Sequence, residues 1–85
     1  MARDKEVRFE ILNVLGTLSE GTKGWSKQLT RVSWDGNEPK YDIRTWSPDY
    51  EKMGKGITLS EEELRALKLL IDAEIDFLDN DSEDR

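Results

Sequence analysis

One seven-residue stretch divides this chain into two unlike parts. Thr58-Leu59-Ser60-Glu61-Glu62-Glu63-Leu64 carries a complete helix N-terminus. Ser60 is the N-cap, Glu63 closes a capping box, and Leu59 with Leu64 occupy the two hydrophobic-staple positions. Three glutamates in the first turn suit the positive end of the helix dipole. From Ser60 to about Leu78 no glycine or proline intervenes, and Leu64, Leu67, Ile71, Ile75 and Leu78 recur at helical spacing. A second stripe, Ala66, Leu70, Ala73 and Phe77, runs beside the first with Leu69 between them, a wider apolar arc than contact with one sheet requires. The expectation is a helix packed on two sides, against its own sheet and, through Leu70, Ala73 and Phe77, against the helix of a second copy. The alternative is a helix sunk deeply in a monomer.

Upstream of Ser60 the pattern changes to strands broken by turn signals. Val7 to Leu18, Gly24 to Asp35, Lys40 to Ser47 and Met53 to Leu59 read as four strands. They are joined by Glu20-Gly21-Thr22-Lys23, Asp35-Gly36-Asn37-Glu38-Pro39 and Ser47-Pro48-Asp49-Tyr50-Glu51-Lys52, all rich in turn formers. Links this short favour consecutive antiparallel hairpins. In the first strand Phe9 and Ile11 share one parity while Leu12, Val14 and Leu18 share the other, which implies a bulge or a strong bend. The expected fold is α+β, a four-stranded curved antiparallel sheet followed by one C-terminal helix (ββββα). It forms a single domain over residues 1–78 with an acidic, frayed tail at 79–85.

Composition narrows the chemistry. With 85 residues there is room for one small domain, and with neither cysteine nor histidine there is no thiolate, no imidazole base, no disulfide and no zinc site of the usual kind. No catalysis, metal or cofactor is expected. A core this small is stabilised further by oligomerisation. No segment is apolar enough to cross a bilayer or read as a secretory signal, so a cytoplasmic protein without membrane partners is expected. The net charge of −6 is unevenly spread: residues 60–85 hold ten acids against three bases, which leaves +1 for the remainder. Overall acidity therefore does not exclude an anionic partner for the sheet.

One helix covers one face of a four-stranded sheet, so the other face is solvated or binds something. In the third strand Tyr41, Ile43 and Thr45 alternate with Asp42, Arg44 and Trp46. Ile43 marks the first set as core, which puts Arg44 and Trp46 on the open face, with Trp34 near them across a hairpin. Two flat aromatic rings flanking an arginine suit single-stranded nucleic acid, the rings for bases and the cation for phosphate. The competing reading makes the tryptophans core. Trp25, in parity with Leu29, is the most core-like of the three, although Lys27 and Arg31 share that parity. Gly54-Lys55-Gly56 and the Gly16 to Lys23 segment lack the context of phosphate-binding loops. The acidic run from Asp79 lacks the glycine and closing glutamate of a calcium loop.

Several motifs together resemble a known family. They are Gly24-Trp25, Arg31-Val32-Ser33-Trp34, Lys40-Tyr41-Asp42-Ile43-Arg44-Thr45-Trp46-Ser47-Pro48-Asp49 and Lys52-Met53-Gly54-Lys55-Gly56-Ile57-Thr58-Leu59-Ser60. The chain is similar, from about Phe9 to Ile75, to the single-stranded-DNA-binding domain of the transcriptional coactivator positive cofactor four, in its bacterial YdbC-like branch. The resemblance implies a homodimer joined through the helices that binds single-stranded DNA on its curved sheets with little sequence preference. RNA is an alternative strand. By family position Trp34 resembles the stacking aromatic that ends the second strand, Arg44 the phosphate-contacting arginine and Trp46 a second stacking aromatic. Lys55 resembles the basic residue near the helix, with Lys40 and Lys27 as weaker correspondences. Val32 and Asp35 stand where eukaryotic relatives carry basic residues. The expected role lies in transcription, replication or repair, nucleoid-associated in a bacterium. The rival role is a protein-interaction module, a transcriptional coregulator docking transcription or replication machinery.

Overall fold

The computed structural model describes residues 8–83. The strands are β1 (Phe9–Glu20), β2 (Ser26–Trp34), β3 (Lys40–Trp46) and β4 (Met53–Leu59), followed by the helix α1 (Glu61–Glu83), with a 3-10 turn at Thr22–Gly24. The sheet order is β1-β2-β3-β4 and each neighbouring pair is antiparallel, the ββββα architecture expected. Between β2 and β3 the chain turns at Asp35 and Gly36, whose φ angles of 52° and 78° are the left-handed pair that a tight hairpin requires. The Asn37 amide donates to the Trp34 carbonyl at 2.8 Å to close it, so Trp34 stands at the very end of its strand.

Three irregularities interrupt the β1–β2 register, between Ile11 and Asn13, between Val14 and Gly16, and between Thr17 and Ser19. Each inserts one residue into β1, and the three inserted residues are Leu12, Leu15 and Leu18. The parity slip in the sequence is thus a series of bulges, and bulges bend a strand and increase its twist. On β2 alternation is strict: Gln28, Thr30 and Val32 are buried while the residues between them are not. Lys27 and Arg31 share the helix-bearing face with Leu29, and neither is buried there. Arg31 donates to the side chain of Asn13.

The helix begins as its sequence dictates. The Glu63 amide donates to Ser60 Oγ at 3.1 Å and the Ser60 amide to Glu63 Oε1 at 2.9 Å, a reciprocal capping box. The helix continues to Glu83, beyond the expected end near Leu78, since no glycine or proline stops it. Residues 84–85, the end of the expected tail, lie outside the described residues. No helix among the described residues is long and apolar enough to cross a membrane.

The helix covers its face of the sheet only loosely. An open apolar groove of about 520 Å³ separates them, lined by Leu29, Tyr41 and Ile43 from the sheet and Leu64, Leu67 and Ile71 from the helix. Leu70 and Phe77 are 69% and 62% exposed. The radius of gyration is 16.1 Å, against about 12 Å for a compact domain of this length.

The tightest packing lies on the opposite face, contrary to the expectation that Ile43 marks the core side. Val32, Trp46, Thr30 and Asp42 are each 0% exposed there. Bending explains this. Trp34 and Trp46 neighbour opposite ends of β2, yet the Phe9 ring lies 5.9 Å from Trp34 and 5.3 Å from Trp46. The face curls far enough for its own side chains to fill the hollow.

Candidate nucleic-acid interface

Four elements bring residues to this concave face. β3 supplies Asp42, Arg44 and Trp46, β2 ends on Trp34, β1 begins with Phe9, and the β3–β4 turn contributes Tyr50. Arg44 is the centre. Its Nε donates to Asp42 Oδ2 at 2.6 Å and its Nη2 to Asp42 Oδ1 at 2.9 Å, while its guanidinium carbon lies 4.9 Å from the centroid of the Trp34 ring. Such cation–aromatic stacking is attractive and gains strength with desolvation. Asp42 accepts a third bond from Thr58 Oγ1 at 3.0 Å. The carboxylate is fully buried and the Arg44 side chain only 14% exposed. The opposite guanidinium nitrogen, Nη1, has only the Met53 sulfur and the Gly54 carbonyl near it, both at 3.4 Å. Contacts of that length are weak.

The glycines of β4 belong to this construction. A side chain at Gly56 would collide with the Arg44 Cβ and the Ile43 carbonyl, and one at Gly54 with the Thr45 hydroxyl. Gly54-Lys55-Gly56 is therefore a close-approach motif that lets β4 press against β3 beside Arg44.

Trp34 meets the expected placement in part: it shares the face with Arg44 and is half-buried, its indole nitrogen buried without a partner. Trp46 differs from the expectation. Parity puts it on the correct face, but it is completely buried, with the Phe9 and Tyr50 rings tilted against it at 5.3 and 5.9 Å. The fully core tryptophan is this one, whereas Trp25, expected to be the most core-like, is half-buried just before β2. Lys40 is exposed and shares the face of Asp42 and Arg44. Lys55 is exposed at the register shift opposite Thr45. Lys27 is not brought together with these residues, because strict alternation along β2 leaves it on the helix-bearing face.

Sequence reasoning missed Phe9 and Tyr50. Tyr50 has a φ of 63°, a left-handed backbone that a bulky residue adopts only under local constraint. That constraint is visible: its amide donates to the Ser47 carbonyl, and Asp49 Oδ1 accepts from Ser47 Oγ at 2.7 Å and from the Glu51 amide at 3.0 Å. The Glu51 amide, and after it the Ser47 hydroxyl, hold the Asp49 carboxyl below its ordinary pKa. The turn signal was legible from Pro48 and Asp49, but nothing local showed that the turn lays a ring over Trp46.

A four-stranded antiparallel meander followed by one helix, with a largely buried ion pair stacked on an aromatic ring, makes this an α+β sheet protein. Comparison identifies it further. The chain belongs to the transcriptional coactivator p15 (PC4) family, whose model matches residues 22–70, from the β1–β2 turn into the first half of the helix. A protein of Treponema pallidum (strain Nichols), itself described only as uncharacterized, is 47% identical over 68 residues, covering 80% of each chain. Membership supports a nucleic-acid-binding or coactivator-like function in general terms.

Proposed function

We propose that this protein binds single-stranded DNA without marked sequence preference, as a homodimer and without a chemical step, in transcription, replication or repair. The observation that carries the reading is the Arg44 guanidinium stacked on Trp34, on the face turned away from the helix. A half-buried indole backed by a cation offers a surface for an unpaired base, and the same guanidinium retains donors for a phosphate. Lys40 and Lys55 add exposed positive charge. Trp46 supports the surface from beneath rather than contacting the strand. Family membership supports the same ligand class.

Titration with oligothymidylate is expected to quench the tryptophan fluorescence. The logarithm of affinity should fall against the logarithm of salt concentration with a slope of about −0.7 per phosphate neutralised. Unchanged fluorescence and no binding at low salt would remove the reading.

The dimer is supported by the loosely covered groove and by the exposed Leu70 and Phe77. Apolar patches of this kind mark association surfaces. The double replacement of Leu70 and Phe77 by aspartate is expected to halve the sedimenting mass. A wild-type protein that sediments as a monomer with this stripe free would favour docking of a different protein there.

A further inference from the structure

We propose that Asp42 is a positioning residue for the nucleic-acid interface: it holds Arg44 flat against Trp34 with one guanidinium edge committed and the other edge left for a backbone phosphate. The inference rests on the single-stranded-DNA reading above and adds to it a role for a residue whose charge is of the wrong sign for that ligand.

A buried carboxylate next to the one cation at the centre of an anion-binding face is electrostatically adverse. The Asp42–Arg44 pair is formally neutral, so Arg44 brings little net attraction for phosphate. What the pair brings is direction. Asp42 takes the Nε–Nη2 edge side-on, at 2.6 and 2.9 Å. The end-on edge, Nη1 with the second Nη2 hydrogen, has no charged partner, and Nη1 makes only the long 3.4 Å contacts to the Met53 sulfur and the Gly54 carbonyl, which a phosphate oxygen would replace. That edge can still make a forked pair of bonds to a phosphate. Asp42 is itself held, by the Thr58 hydroxyl at 3.0 Å and by complete burial. Trp34 holds the guanidinium from its flat side, 4.9 Å away. The long side chain is thereby ordered before the ligand arrives, which removes an entropic cost of binding.

The positioning role and simple electrostatics predict opposite signs. Asp42→Asn makes the face one unit more positive, and charge alone would tighten binding. Positioning predicts that binding of a labelled oligothymidylate weakens roughly tenfold, the equivalent of one charge-assisted hydrogen bond. Thr58→Val leaves every charge in place on an exposed side chain and removes one of the three bonds that orient the carboxylate. It is expected to weaken binding by a smaller factor, about threefold. The second readout is the Arg44 Nε proton in the NMR spectrum, expected as a slowly exchanging signal in the unliganded wild type and as a faster-exchanging one in Thr58→Val. Wild-type affinity and exchange in Thr58→Val, or equal or tighter binding by Asp42→Asn, would overturn the proposal while wild-type binding stands. Failure of the wild type to bind would instead remove the DNA reading and this inference with it.

Discussion

Replacing Trp46 by alanine is expected to cost about 3–5 kcal/mol of folding stability, the usual range for deleting a large buried aromatic. The indole is 0% exposed, and the rings of Phe9 and Tyr50, from two other segments of the chain, lie 5.3 and 5.9 Å from it. A domain of this length has a total stability of about 4–13 kcal/mol. The loss would lower the melting temperature by roughly 12 °C or more. Urea or thermal unfolding at fixed protein concentration provides the check. A variant that unfolds with the wild type and loses only DNA binding would show that position 46 acts as a platform after all. Trp34→Ala is the counterpart: its ring is half-buried, so the larger effect should fall on oligonucleotide binding, by about 1–3 kcal/mol per stacked base.

Arg44→Ala is expected to destabilise the protein by about 3–5 kcal/mol, much more than truncation of a half-buried surface arginine would, because it strands a buried charge. Asp42 is 0% exposed and would keep only the Thr58 hydroxyl as a partner. Removing both members should be milder than removing one. The double variant Asp42→Leu, Arg44→Met is expected to recover most of the stability, since apolar side chains of similar size can replace a buried ion pair at little cost. Denaturant midpoints for both single variants and the double variant form a cycle that isolates the coupling between them. Additive losses would mean that the two side chains do not depend on each other. Oligonucleotide binding should stay low in the double variant even where the fold recovers, because no guanidinium remains.

Much of the architecture was legible because its determinants are local. Ser60 and Glu63 lie within one helical turn, so the capping box could be read off the chain and is present at 2.9 and 3.1 Å. Asp35-Gly36 specifies its own left-handed turn, and alternation in β3 assigns Asp42, Arg44 and Trp46 to one face without reference to anything else. The site was legible only as far as that parity. Whether a ring on the chosen face is open or sealed depends on what curls over it, and here Phe9 and Tyr50 arrive from strand and turn positions 37 and 4 residues away from Trp46.

The amino-acid order on its own determined the sequence of elements, the start of the helix, the faces of β3 and the wide apolar arc of the helix, because each follows from short-range periodicity or a short motif. Only the tertiary structure decided which face carries the densest packing. Three bulges in β1 accumulate into a bend, and the bend makes the face away from the helix fold upon itself. Burial is a property of that curvature, and curvature is a sum over strands that no single stretch of sequence contains.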